Sequence, residues 1–155
     1  LEGFPMSLLI RKAAPADAGA LCTLYLHHLT QTAEENPQDM AVWREKLARF
    51  QADPHYHLLV GEADGAVVSS VTLVIVENLT HDLRPYALIE NVVTHRAHRG
   101  KHYATALMRR ACEIAAENGC YKVMLLTGSK RESTLRFYER CGFDRHAKTA
   151  FLRRL

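Results

Sequence analysis

A chain of 155 residues that is 48% hydrophobic and 24% charged, with a formal charge of +3, has ordinary globular proportions and length for one domain with a sizeable core. That charge is too mild to argue for a nucleic-acid partner, although basic residues gather at 96–101 and 130–140, and no run approaches the roughly 20 apolar residues of a membrane span. Cys22, Cys112, Cys120 and Cys141 lack metal-type spacing, so they read as reduced, packed thiols of a cytoplasmic protein.

Leu1-Glu2-Gly3-Phe4-Pro5 stand ahead of Met6, so residues 1–5 read as an addition before a native start and 6–155 as a single domain. Leu8–Ala13 predicts a strand that stops at Ala14-Pro15. Proline suits a first helical position, and Ala18, Leu21, Cys22, Tyr25 and Leu29 share one face of the helix that follows. Asn36-Pro37-Gln38-Asp39 reads as a capped start for a second helix, striped by Met40, Trp43, Leu47 and Phe50 and closed by Asp53-Pro54. Tyr56–Ala63 and Ala66–Val76 are strands around an Asp64-Gly65 hairpin turn. A loop over Asn78–Arg84 leads to a strand over Ala87–Thr94.

The next helix puts Tyr103, Leu107, Ala111, Ile114 and Ala115 on one face and stops at Asn118-Gly119. Lys122–Leu126 is a short strand, and Ser129-Lys130-Arg131-Glu132 has capping-box form for a helix to about Cys141. Gly142 ends it, and Phe143–Leu155 predicts a last strand. The order β-α-α-β-β-β-α-β-α-β implies an α/β (α+β) fold: a mixed, mostly antiparallel sheet with helices on both faces.

Chemistry concentrates where the Ala87–Thr94 strand meets its helix. Helix N-terminal amides lack intrahelical partners and carry partial positive charge, so Arg99, Gly100 and Lys101 at that point suit a phosphate or pyrophosphate. Glu90 lies within an otherwise apolar strand, where desolvation would tune a carboxylate towards use as a base. Tyr138 supplies a phenol able to protonate a departing thiolate. His95-x-x-His98 and His55-x-His57 lack a convincing third ligand, so no metal is expected.

The run Arg99-Gly100-Lys101-His102-Tyr103-Ala104, the later Arg136-Phe137-Tyr138-Glu139-Arg140-Cys141-Gly142-Phe143 and the element order from residue 8 onward together resemble the GNAT superfamily of N-acetyltransferases. The Glu90-Asn91-Val92-Val93 segment is similar to the Glu-Asp-Val-Val of glucosamine-6-phosphate N-acetyltransferases. This resemblance implies acetyl-CoA as cosubstrate, with its pyrophosphate on the amides of Arg99, Gly100, Lys101, His102, Tyr103, Ala104 and Thr105. It also implies pantetheine pairing with the backbone of Val92, Val93 and Thr94, cofactor contacts from Phe137 and Tyr138, and Tyr138 as acid with Glu90 as base. Two positions depart from the pattern: His102 replaces the usual middle glycine, and Arg131 replaces a common asparagine and would meet phosphate as a charge.

The expected activity is direct acetyl transfer, in a ternary complex, to a primary amine of a small molecule. The alternative is an acyl-CoA-binding sensor or interaction module without turnover. Around the expected acceptor entrance, Glu34, Glu35, Asp39, Glu77 and Asp82 favour a cationic amine, whereas His27, His28, His81 and Arg84 favour an anionic amino-sugar phosphate. The choice stays open at this level. A homodimer is expected, with Phe143–Leu155 pairing with a second copy, and neither nucleic acid nor membrane is an expected partner.

Overall fold

Residues 8–32 and 38–155 are described by the computed structural model, which leaves Met6, Glu34, Glu35, Asn36 and Pro37 outside. Its centre is a five-stranded sheet in chain order, β1 (Leu8–Lys12), β2 (Tyr56–Ala63), β3 (Ala66–Val76), β4 (Tyr86–Thr94) and β5 (Val123–Leu125). The first three junctions are antiparallel and β4–β5 is parallel. Asp64 and Gly65 take the positive φ values, 50° and 79°, that a tight hairpin turn demands.

Alternation along the strands sorts residues between two layers. Leu59, Val71, Leu73, Ala87 and Ile89 pack against Leu107, Met108, Ala111, Ile114 and Ala115 of α4 (Tyr103–Glu117). α5 (Glu132–Arg140) sets Phe137 and Tyr138 against the same cluster. On the opposite face Leu58 and Val60 meet Ala18 and Leu21 of α1 (Ala18–Thr23) and Leu47 of α2 (Met40–Ala52). Asp17 fastens the entry to α1: its carboxylate accepts from Arg11 Nη1 and Nη2 at 2.7 and 2.8 Å and from the Ala14 N–H at 2.8 Å.

Several expectations need correction. The first helix does not run through Leu29 as an α-helix: Leu24–Leu29 is a π turn, with Thr30 N–H donating to the Tyr25 carbonyl at 2.8 Å. A 3.6-residue apolar period cannot register one inserted residue, so the pattern looked unbroken. Asp39 caps α2 through the Ala41 N–H at 2.9 Å, which starts that helix at Met40. The Ser129 capping box does not form; Ser129 Oγ accepts from the Arg131 N–H at 3.3 Å, and α5 begins only at Glu132. Residues 143–155 form no strand, because β5, the outermost strand beside them, has only three residues and pairs with β4 alone. Within the expected Asn78–Arg84 loop lies a single turn, α3 (Thr80–Leu83), whose His81, Asp82 and Leu83 have φ of 53°, 58° and 63°.

Candidate active site

The site starts from a defect in β4. Thr72 of β3 faces Glu90 and Ser70 faces Val93, so the ladder shifts register and leaves Asn91 and Val92 as the extra length. Asn91 absorbs the bulge with φ of 52°, and bulges of this kind bend a strand away from its neighbours. On its other side β4 pairs with β5 only at Ala87–Ile89. From Glu90 to Thr94 β4 has no ladder with β5, which leaves an opening along that edge. Val92, Val93 and Thr94 border it. Thr94 Oγ1 is tied to Ser69 Oγ at 2.9 Å, and Val92 packs towards the α4 cluster.

The basic turn follows directly. His95 caps a short 3-10 turn over Arg96–His98 by accepting from the Ala97 N–H at 3.0 Å. Gly100 has φ of 78° and His102 φ of 62°, both left-handed. His102 is the N-cap of α4, so it occupies the backbone state for which a glycine is the usual residue. The amides of Tyr103, Ala104 and Thr105 occupy the first turn, where no intrahelical partner exists. The Tyr103 ring is buried at 6% exposure, so its contribution to a ligand is its amide. Arg99 folds back to its own turn, Nε donating to the Thr94 carbonyl at 3.2 Å, whereas Lys101 is exposed.

His28, which the sequence placed with the acceptor, belongs here. Its ring lies 4.2 Å from that of His95, and its Nδ1 accepts from the Arg96 N–H at 3.4 Å. Burial, and the positive groups His95, Arg96, Arg99 and His27, hold the imidazole below its ordinary pKa. That crowding of positive groups makes the mouth of the turn attractive to an anion.

Tyr138 is half-buried beside Phe137, the rings edge to face at 5.2 Å. Burial first, then the neighbouring Cys141 and Glu90, push its phenol up, so the hydroxyl keeps its proton. Arg145 secures α5 by binding Glu132 at 2.9 Å and also Glu139. Arg131 sits at the N-cap of α5 with an exposed side chain, as does Lys130 in the preceding turn.

Glu90 departs from expectation. It is exposed on its strand, so the desolvation argued for it does not occur. Its position is nonetheless informative, because its charge acts on both Tyr138 and Tyr56. Arg84 and His81 are drawn away from the opening: Arg84 Nε donates to the Gly119 carbonyl at 3.2 Å, and His81 stacks on Tyr121 at 3.9 Å. Both lie by the start of β4, at the opposite end from the basic turn. The four thiols are free and half-buried, and burial raises all of them above the ordinary thiol range, which keeps them inert. No group of His, Cys, Asp or Glu among the described residues is arranged to hold a metal.

Sequence reasoning missed Tyr25, Tyr56, Ser70 and Thr72, whose hydroxyls lie on the α1–α2 face alongside Glu90. The signal was Ser69-Ser70 and Thr72 interrupting an apolar strand.

Comparison with known proteins is consistent with this arrangement. The model of the acetyltransferase (GNAT) family matches residues 22–143. A glucosamine 6-phosphate N-acetyltransferase of Trypanosoma brucei brucei is 38% identical over 84 residues, spanning 54% of this chain and 55% of its own length. One of Candida albicans is 30% identical over 139 residues, spanning 90% of this chain and 91% of its own. A solved structure from Agrobacterium tumefaciens str. C58, provisionally described as an acetyltransferase, superposes with a TM-score of 0.85 at 39% identity, covering 95% of this chain and 99% of that one.

Proposed function

Because the chain belongs to the acetyltransferase (GNAT) family, we propose that it moves the acetyl group of acetyl-CoA onto the primary amine of a small molecule within a ternary complex. The observation that carries this reading is the run of β4 past its last pairing with β5 and straight into the basic turn at the N-terminus of α4; Glu90 lies on that run, and Tyr138 is half-buried on α5. The surrounding residues suit the cosubstrate. First-turn amides of Tyr103, Ala104 and Thr105, with Gly100, Lys101 and His102 before them, suit a pyrophosphate. The stretch Val92, Val93 and Thr94, beyond the last pairing of β4 with β5, suits the amides of a pantetheine arm. Arg99 and Arg131 add positive charge, and Phe137 an apolar side.

In this reading Glu90 takes a proton from the incoming ammonium, which frees the nitrogen lone pair for attack on the thioester carbon. A C–N bond forms and the C–S bond breaks. Tyr138 gives its proton to the departing sulfur and recovers one from the acylated nitrogen, so one proton leaves the site in net. A phenol held above its ordinary pKa suits this role, because it is protonated at neutral pH and faces a leaving group that needs a proton.

The relatives' names put an amino-sugar phosphate first among acceptors, and the positive mouth formed by Arg96, Arg99 and Lys101 is compatible with an anionic one. The reading extends to a homodimer: Phe151 and Leu152 are 91% and 77% exposed on a segment with no strand of its own, and β5 is an edge strand.

The test is thiol release from acetyl-CoA across a panel of amines, including glucosamine 6-phosphate, a polyamine and a peptide N-terminus. Turnover of a small amine, with kcat sharply lowered in Glu90→Gln, is the expected result. Tight CoA binding without turnover of any amine would replace the enzyme with a binding module.

A further inference from the structure

On the α1–α2 face of the sheet, four hydroxyl side chains are gathered beside Glu90, and their protons can be traced. Ser70 and Thr72 are 0% and 1% exposed, and Tyr25 and Tyr56 reach the same patch from the π turn and from β2. Ser70 Oγ donates to the Leu59 carbonyl at 2.9 Å, so its proton is committed. Tyr25 Oη stands 3.5 Å from Ser70 Oγ, and with that serine already donating, the phenol is the donor. Thr72 Oγ1 is shut off from solvent and has no hydrogen-bond partner within ordinary distance among the described residues. A buried hydroxyl in that state costs about 1–3 kcal/mol unless a small adjustment or a water satisfies it, and Thr72 is near enough to both phenols to draw each of them down.

Register fixes what lies next to it. Thr72 sits directly opposite Glu90 on β4, and Tyr56 sits opposite Val74, one row along the same face. The Tyr56 ring is clamped flat against Phe50, centroids 3.9 Å apart and planes 16° apart, so it cannot swing freely. Adjacent strands are about 4.8 Å apart, which lets a side chain as long as tyrosine's pass over β3 towards β4. Burial, then Tyr25 and Glu90, raise the Tyr56 phenol, while Thr72 draws it back; its proton therefore stays on.

We propose that Tyr56 is a positioning residue for Glu90: its phenol accepts from Thr72 Oγ1 and donates, directly or through one water, to the Glu90 carboxylate. Thr72 anchors the oxygen end of that phenol, and the phenol's own proton then has one direction left, towards the carboxylate. The exposed side chain of Glu90 is thereby held at the opening instead of sampling solvent. No proton is gained or lost along this path; the proton taken from the acceptor ends on Glu90. The titratable groups on which the carboxylate acts are Tyr56 from β2 and Tyr138 from α5, and Tyr25 acts in turn on Tyr56.

This inference rests on the acetyl-transfer reading with Glu90 as base. The test measures kcat, KM for acetyl-CoA and the pH profile of kcat for wild type, Tyr56→Phe, Thr72→Val, Thr72→Ser and Glu90→Gln, with thermal melts of each. Tyr56→Phe is expected to lower kcat about 10-fold, less than the roughly 10²–10⁴-fold of an acid–base group itself, because Glu90 remains. KM for acetyl-CoA should hold, and the acid limb should move to higher pH, because the carboxylate loses a donor that favours its anion. Thr72→Val, which keeps shape and loses the hydroxyl, should follow Tyr56→Phe; Thr72→Ser, which keeps the hydroxyl, should stay near wild type. Equal losses in Thr72→Val and Thr72→Ser would assign the effect to packing and overturn the proposal. Wild-type kcat and pH profile in Tyr56→Phe and Thr72→Val, beside a crippled Glu90→Gln, would also overturn it while leaving the acetyl-transfer reading in place. Full activity in Glu90→Gln, or no turnover by wild type, would remove both.

Discussion

The two faces of the sheet solve different problems with the same strands. Against α4 the core cluster is apolar, and Val71, Leu73, Ile89, Leu107, Met108 and Ala111 are at most 1% exposed; the one buried hydroxyl on that side among the described residues, Ser69, is bonded to the Val93 carbonyl and Thr94 Oγ1. Against α1 and α2 the strands carry Ser70 and Thr72 into the interior, the helix entry hangs on a buried aspartate, and the helix itself loosens into a π turn. The centre of the dry face holds β4 and the N-terminus of α4 in place, and only half-buried Tyr138, packed against that cluster, carries proposed chemistry there. The hydroxyl-bearing face gives up apolar contact, and its buried polar groups call for partners, as Ser70 has in the Leu59 carbonyl and Thr72 Oγ1 lacks among the described residues. Stability should therefore be most sensitive at the centre of the α4 layer, and turnover at Glu90, its hydroxyl neighbours and Tyr138.

Leu107 offers the strongest way to break that division. It is 0% exposed at the centre of the α4 layer, and its Cδ1 also fills the space above Gly61. Leu107→Ala is expected to cost about 4 kcal/mol in urea unfolding, as for large-to-small changes that leave a cavity. Its kcat at a temperature where the variant is folded should be little changed. A large kcat loss without destabilisation would show that the dry face takes part in chemistry.

Tyr138→Phe is expected to do the reverse. It removes one oxygen from a half-buried ring that keeps its packing against Phe137. A fall of about 100-fold in kcat, equivalent to about 2.7 kcal/mol of barrier, should accompany a melting temperature close to wild type. Steady-state kinetics and calorimetry on the same preparation separate the two quantities.

Asp17 tests whether the hydroxyl-bearing face depends on its charged clasp. Two hydrogen bonds from Arg11 hold the carboxyl below the usual carboxylate range, with burial opposing and the Ala14 N–H and the Arg11 charge assisting. A depressed pKa means stability that is present above the unfolded value, about 3.9, and lost as pH falls through the folded one. Breaking a buried pair costs about 3–5 kcal/mol, but the Arg11 side chain is 32% exposed, so about 2 kcal/mol is expected for Asp17→Asn at pH 7. The gap between wild type and variant should close in denaturant titrations below about pH 4. A gap independent of pH would mean the clasp acts through shape alone.

The same contrast explains what could be read before the structure. Leu107, Ala111, Ile114 and Ala115 recur at helical spacing, and the Asp64-Gly65 turn and Asn118-Gly119 stop have local chemistry of their own, so the dry layer was legible. Tyr25 reaches Ser70 from 45 positions away, and His28 reaches Arg96 from 68. No periodicity encodes such meetings, and the π turn that aims Tyr25 leaves no mark on the apolar pattern. Glu90 and Tyr138 were legible as chemistry from their residue types and neighbours. The exposure of Glu90 was not, because it depends on how far β5 extends beside β4. The C-terminal segment misled for a related reason: its apolar residues fit a strand, but a strand also needs a ladder to join.

His102 lies at the boundary between the two tasks, since it caps the helix of the dry face while standing at the proposed phosphate site. Its φ of 62° and ψ of 20° are left-handed, a state that costs a residue with a Cβ about 1–2 kcal/mol. Replacement by glycine removes that strain but adds about 0.5–1 kcal/mol of unfolded-chain entropy, so His102→Gly should change the unfolding free energy by less than about 1 kcal/mol. His102→Ala keeps the strain and loses only the ring, and should melt no higher than the glycine variant. If the amide is what meets phosphate, the backbone is already in the conformation glycine would take, and CoA affinity measured by calorimetry should shift by no more than about threefold in either variant, about 0.65 kcal/mol. A tenfold loss in both would instead make the imidazole the ligand. The exposed ring at the mouth of the turn would then be a working part of the site in its own right, and the helix cap would share in both tasks.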